Sequence, residues 1–385
     1  MIQDFFTPIS AEVLSDEKTS SKEMLGSQLI KHTKELGFPD LENVNLAFFD
    51  VREERGAVGN QGTGIGADEI RKQLYQLYAG NWGVSIVDLG TIQPGNNIKD
   101  TYFAVQETVA FLLKKNILPI IIGGGQDLVY ANYRGYNQLD QAVNLAVASP
   151  KFSFGDVEDD LNSNSYLSKI ILEQPCNLFN YANLGYQTYY NSQEEISLIE
   201  SLSFEAFRVG ALKNIAIVEP VMRDADIVAI DMGVVRCGEA PANGNANPNG
   251  LYGDDLCAIA RYAGISDKVT SFGIYEYNKL FDVNHQTSKL ISQVIWYFIE
   301  GYSLRTNDYP YGSKDSYLKY LVPFENEVIS FYQSDKSQRW WMQVDIPTQS
   351  KYKRHVLVPC SYDDYLNTIE QKVPERWFNV HRKIS

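Results

Sequence analysis

Three observations predict an α/β fold with a mainly parallel sheet and a small C-terminal α+β extension. From residue 44 to residue 304, short apolar runs alternate with longer stretches of helical periodicity, the pattern of βαβ units. Residues 118–122 (LPIII) carry no polar side chain, as expected of a central parallel strand covered on both faces. After Leu304 the alternation stops, and strand-like segments gather around the polar turn SDKSQ.

Residues 1–40 read as an N-terminal extension with one helix over 20–36. Residues 41–304 form the main α/β domain, and residues 305–385 an aromatic-rich extension or subdomain. Within the main domain, strands are predicted over 44–51, 84–89, 118–122, 143–148, 177–182, 227–231 and 269–275. Helices are predicted over 68–78, 101–115, 166–173, 197–203, 213–223, 254–263 and 287–302, with one more after residue 127. In the extension, strands are expected over 327–332, 340–345 and 355–358, and a final helix over 363–373. No internal repeat is visible.

The chain has 385 residues, 44% of them hydrophobic and 21% charged, with a formal net charge of -14. An acidic field repels phosphate, so nucleic acid and anionic membrane surfaces are not the expected partners. The basic residues Arg339, Lys351, Lys353 and Arg354 read as a solvated face. No apolar run is long enough to insert in a bilayer. No basic start followed by an apolar run marks a leader. The four cysteines form no C-x-x-C pair, so a cytoplasmic protein with reduced thiols is expected.

Chemistry-bearing residues collect where strands hand over to loops. Asp231 ends the 227–231 strand. A second carboxylate two residues on would share its side, but Gly233 stands there. GGGQD at 123–127 and SPKFS at 149–153 follow two other strands, and Tyr275-Glu276-Tyr277-Asn278 a fourth. The glycine-rich loop at 56–68 misses the G-x-G-x-x-G spacing and reads as a flexible turn rather than a phosphate cradle. Cys237 has no histidine near it in sequence and reads as a packed thiol. The acidic run at 155–160 reads as a solvated loop, with a shifted metal site on Asp127, Asp156, Glu158, Asp159 and Asp160 as the alternative. The loop Asn243–Gly250 favours Asx turns and positive φ.

At these segments the chain resembles the ureohydrolase family (arginase, agmatinase and formimidoylglutamase), nearest the formimidoylglutamase-like branch. The resemblance covers residues 40–300. It implies a three-layer α/β/α arginase-like fold and, in the family, a pair of manganese ions. The family motifs are G-G-x-H, D-A-H-x-D and S-x-D-x-D, followed by a glutamate in an E-x-N-P-like turn that holds a guanidinium or formimino group. Carried over position by position, Gln126 stands at the first histidine ligand. Ser149, Lys151 and Ser153 stand at the Asp, His and Asp of the second motif. Asp231 keeps the first carboxylate of the third motif, and Gly233 replaces the second. Glu276 matches the substrate-holding glutamate and Asn278 the asparagine of its turn, while Lys279 replaces the proline.

One surviving ligand cannot hold two divalent ions, which need several hard oxygen or imidazole donors each. The resemblance therefore implies a degenerate metal site, with no catalytic residue and no metal bound. Lys151 either pairs with Asp231 in place of the metal charge or points to solvent, with Asp231 capped by backbone amides. Glu276, Asp231 and Asn278 remain candidates to hold a small ligand. The functional expectation is a pseudoenzyme that acts as a protein-binding subunit or scaffold. The alternative is an active arginase- or formimidoylglutamase-type hydrolase of C–N bonds with an altered site. The partners expected are proteins, including a homo-oligomer. The aromatic set Trp340, Trp341, Tyr352, Tyr362, Tyr365, Trp377 and Phe378 is divided between core and interface readings.

Overall fold

Continuous apolar runs form the middle of a ten-stranded sheet in the computed structural model, which describes residues 2–17, 21–139, 141–156, 160–310, 314–325, 327–346 and 354–384. In chain order the strands are β1 (Phe6–Thr7), β2 (Ile30–Lys31), β3 (Leu46–Val51), β4 (Ile86–Ile92), β5 (Leu118–Ile122), β6 (Val143–Ala148), β7 (Leu178–Tyr186), β8 (Glu205–Arg208), β9 (Ile227–Asp231) and β10 (Ser271–Tyr275). Their order across the sheet is β1-β4-β3-β5-β10-β9-β6-β7-β8, with β2 also paired to β4. Every pairing is parallel except β1 with β4.

Both faces of the sheet are covered, so successive strand residues enter two different cores. Leu46 and Phe48 of β3 join the helices Ala67–Tyr75, Gly253–Ile265 and Gln286–Ser303. Ala47, Phe49 and Val51 join Ile98–Lys114, Leu128–Arg134 and Tyr166–Leu172. That is the three-layer α/β/α arrangement. At the edge of the sheet, Arg71 is fully buried between Asp50 and Asp88. Its Nη1 donates to Asp50 Oδ1 at 2.6 Å and its Nε to Asp88 Oδ2 at 2.8 Å.

A second, antiparallel sheet holds β11 (Tyr317–Phe324), β12 (Glu327–Ser334), β13 (Trp340–Ile346) and β14 (Arg354–Cys360), in that order. Helices Tyr362–Ile369 and Glu375–Ile384 complete this unit. Trp340, Trp341 and Trp377 are buried: Trp340 and Trp377 lie in the unit's main core and Trp341 in a smaller cluster on the other face of the sheet, so none is an open contact surface. Tyr362 is 53% exposed and Leu366 41%. Tyr352, Lys351 and Lys353 lie outside the described residues. Arg223, on the helix Val218–Asp224 of the main domain, fastens the unit to that domain. Its Nη1 donates to Trp340 O at 2.8 Å, its Nη2 to Cys360 O at 2.9 Å, and its guanidinium lies 4.7 Å from the Trp341 ring.

Several expected elements differ. The helix over 20–36 does not form. Ala11–Glu17 and Leu25–Gln28 are helical, Ile30–Lys31 is a strand, and residues 18–20 lie outside the described set. Backbone pairing wins there: Ile30 opposes Val87, and the His32 amide donates to Asp88 O at 2.9 Å. The helix over 363–373 stops at Ile369, and a second one starts at Glu375. Pro374 disfavours helical backbone at the residue before it, which separates the two. β8 and β11 have no counterpart among the predicted strands.

Candidate functional site

β5, β10, β9 and β6 lie side by side, although the chain visits them in the order β5, β6, β9, β10. Their carboxyl ends therefore meet in one crevice, where ligands collect in open α/β sheets. A cavity of about 310 Å³ opens there. Gln126, Lys151, Ser153, Asp231, Gly233 and Glu276 all line it, and Ser149 touches it through Asp231.

Asp231 is buried and held at both oxygens. Oδ1 accepts from the Gly233 amide at 2.8 Å and Oδ2 from Ser149 Oγ at 3.1 Å. Burial raises its pKa to about 6, against the opposing effects of those two hydrogen bonds and the Lys151 charge. Lys151 is half-buried on the cavity wall. It forms no ion pair with Asp231 among the described residues, so its charge acts across the cavity. Of the two readings of Asp231, the capped one describes its contacts.

Glu276 adopts a left-handed backbone, with φ 65°, uncommon for a residue with a side chain. Its amide donates to Gly124 O at 2.9 Å. Oε1 accepts from the Gln126 amide and Oε2 from Asn60 Nδ2, both at 2.8 Å. Asn60 Nδ2 and Asn243 Nδ2 also reach the Glu276 carbonyl, at 3.0 and 3.1 Å. Burial, with the Asp231 charge second, pushes Glu276 to about 8. Asn278 does not line the cavity. It is fully buried and donates to Asn60 Oδ1 at 3.0 Å, which fixes the Asn60 amide. Gly62, at φ 110°, lets this happen: a Cβ there would meet Asn278 Oδ1 at 2.7 Å.

The remaining side chains turn aside. Gln126 Nε2 donates to the Tyr166 hydroxyl at 3.3 Å. Ser153 is buried with φ 62°. Asp127 lies outside the cavity, with Oδ2 accepting from the Tyr102 hydroxyl at 2.7 Å and Oδ1 without a hydrogen-bond partner. Burial raises its pKa to about 7. Glu158 and Asp159 of the shifted-metal alternative lie outside the described residues. The glycine-rich loop aims its amides at its own chain: Glu54 Oε2 accepts from Gly62 N at 2.9 Å and Gly64 N at 3.1 Å.

Four lining or positioning residues are absent from the sequence-based set. Asn60 hides in the glycine-rich loop, and Ser163, Asn164 and Tyr190 come from unremarkable loops. Asn243 belongs to the asparagine-rich loop that walls the cavity through residue 247, where Asn247 meets the Tyr190 hydroxyl. The family resemblance implies a pocket wall from the loop 243–250, and residues 243–247 form it, with asparagines that each offer both donor and acceptor.

Comparison with known proteins places this architecture. The formimidoylglutamase of Staphylococcus haemolyticus is 23% identical over 300 residues, which cover 74% of this chain and 95% of the relative. The formimidoylglutamase of Streptococcus gordonii is 24% identical over 282 residues, covering 68% and 85%. Among solved structures, formimidoylglutamase from Bacillus subtilis superposes with a TM-score of 0.66 at 18% identity, over 74% of this chain and 94% of that one. Trypanosoma cruzi formiminoglutamase with Mn2+ superposes with a TM-score of 0.64 at 14% identity, over 70% and 97%. Those two likenesses speak to the fold. The arginase family model matches residues 45–300, most of the three-layer domain and all four strand ends of the crevice, so the chain belongs to the arginase family.

Proposed function

We propose that this arginase-family chain binds a small cationic amidine-type group, a guanidinium or formimino group, between Asp231 and Glu276, and does not hydrolyse it through a metal pair. The observation that carries this reading is the paired burial of the two carboxylates in one cavity. Their mutual repulsion contributes to the raised pKa of Glu276, and a bound cation relieves it. Both Glu276 oxygens are held by donors, so the carboxylate is fixed before a ligand arrives.

The donor set does not fit a manganese pair. Around Asp231 stand a hydroxyl that donates to it, an amide turned to Tyr166, a glycine and an ammonium group. Hard divalent ions need several oxygen or imidazole donors, and neither the glycine nor the ammonium group offers one. Cytoplasmic residence fits the four free cysteines, and no helix among the described residues is long and apolar enough to cross a membrane.

A second reading keeps a hydrolase of amidine C–N bonds with an altered site. Its support is the alignment with formimidoylglutamases along 74% of the chain. One experiment separates the two. The purified chain is titrated calorimetrically with agmatine and with N-formimidoylglutamate, and product release is assayed with and without manganese. Binding without turnover supports the binding reading. Manganese-dependent turnover that disappears in Asp231→Asn overturns it.

We propose protein association as the role of the C-terminal unit. Tyr362, Leu366 and Ile369, at i, i+4 and i+7 of one helix, are all exposed and support that reading. Light scattering of the full chain tests whether the partner is a second copy.

A further inference from the structure

A second cavity, of about 430 Å³, lies where the C-terminal unit meets the main sheet. Its walls come from β8, the helix Gln193–Ser201, the start of the helix Tyr362–Ile369 and the helix Glu375–Ile384. None of the residues discussed for the central cavity lines it.

Its chemistry is specific. Phe152, Tyr186, Phe204 and Phe207 supply aromatic surface. Asn379 is 8% exposed and lines the cavity, and its amide has no hydrogen-bond partner among the described residues. Its polar atoms are not among the fully buried ones left without a partner, so water in the cavity reaches the amide and a ligand group can replace that water. Glu205 and Arg376 neutralise each other: Glu205 Oε2 accepts from Arg376 Nε at 3.0 Å and Nη2 at 2.9 Å. The remaining charged lining groups are Glu200, Asp364 and Glu375, all acidic. Asp364 is engaged as a helix cap, accepting from the Ser361 amide at 2.7 Å. Glu200 and Glu375 are exposed at the rim. The cavity thus offers aromatic walls, one inward amide with both a donor and an acceptor, and a negative mouth.

Two segments border both cavities. Phe152 faces the second cavity, while its neighbours Lys151 and Ser153 face the central one. Tyr190 lines the central cavity, while Ile196, Ile199 and Glu200, just beyond it, line the second. Asn191 ties the two segments together: its Oδ1 accepts from the Phe152 amide at 2.8 Å and its Nδ2 donates to Pro150 O at 3.1 Å.

We propose that this second cavity binds a small aromatic amine, with its ring among Phe152, Phe204 and Phe207, a polar ring substituent on Asn379 and its ammonium at Glu200 and Glu375, and that occupancy is felt at the central cavity through Phe152. The inference is independent of what the central cavity binds.

Tyramine is the probe, with phenylacetate as the anionic control. Calorimetry should show tyramine binding with a Kd of about 1 mM or tighter and no phenylacetate binding. Asn379→Leu should weaken tyramine about tenfold, the loss of one hydrogen bond. Glu200→Lys, on the exposed rim, should weaken it without touching the core. Amide exchange at Phe152 should slow when tyramine binds. Absence of tyramine binding overturns the proposal. So does binding that ignores Asn379→Leu and Glu200→Lys but is lost in Asp231→Asn, because the amine then occupies the central cavity. Binding that leaves Phe152 exchange unchanged overturns the coupling.

Discussion

Ser149 donates its hydroxyl to Asp231 Oδ2 at 3.1 Å. An asparagine at 231 keeps this geometry, since its carbonyl accepts from the Gly233 amide and the Ser149 hydroxyl reverses to accept. Only the charge is lost. The carboxyl of Asp231 titrates near 6 in the fold against a reference of 3.8, so the protonated form is favoured by folding. Its contribution is present at low pH and is lost as pH rises from the unfolded value through 6. Asp231→Asn should therefore leave stability unchanged near pH 4. Above pH 7 it should raise stability by up to about 3 kcal/mol. Denaturant melts at the two pH values check this. Equal effects at both would show that Asp231 ionises without cost.

A second carboxylate beside the first tests the same crowding from the other side. A Cβ at Gly233 would meet Asp231 Oδ1 at 3.0 Å. Gly233→Asp should lower the thermal midpoint, and more so at pH 8 than at pH 5, because two buried like charges then compete. A midpoint equal to wild type at both would mean that the loop moves aside.

Guanidinium-type ligands should bind more tightly as pH rises. A cation favours the ionised form of Glu276, which titrates near 8. Agmatine affinity should increase from pH 6 to pH 8 and level off above, with protons released on binding. Calorimetry in two buffers of different ionisation enthalpy counts those protons. Affinity that is flat across this range would remove Glu276 from the ligand site.

Arg71→Met leaves Asp50 and Asp88 buried without their shared cation. Breaking such a pair costs about 3–5 kcal/mol, and urea melts should show a loss of that size. A loss below 1 kcal/mol would mean that water enters to replace the guanidinium.

Arg223→Ala removes two hydrogen bonds to β13 and β14 and the stacking on Trp341. Hydrogen bonds from a charged group are worth about 1.5–3 kcal/mol each at most. Limited proteolysis should release the C-terminal unit faster than in wild type, while melting of the main sheet stays close to it. Unchanged proteolysis would assign the tether to the Arg376–Glu205 pair instead.

The central strands were legible because burial on both faces leaves an unbroken apolar run, as in residues 118–122 and 227–230. The crevice was legible through the residues ending those strands. The N-terminal segment was not. Its apolar spacing suits a helix, but pairing of Ile30 with β4 depends on a partner 57 residues away. β11 escaped notice because Pro323 and Lys319 interrupt its pattern, features that an edge strand tolerates. Asn60 was invisible for a different reason. Its role exists only once residue 276 has been brought against it, 216 positions along the chain.

The strand order also sets when this protein can be finished. β5 and β6 follow one another in the chain, yet β10 and β9 lie between them in the sheet. Until residue 275 has been synthesised, β5 and β9 each lack the partner that joins them, which leaves an unpaired edge of apolar strand on either side. Such edges invite pairing with the wrong neighbour. β10 is the keystone that joins β5 to β9, and the crevice between their ends is complete only once it is in place.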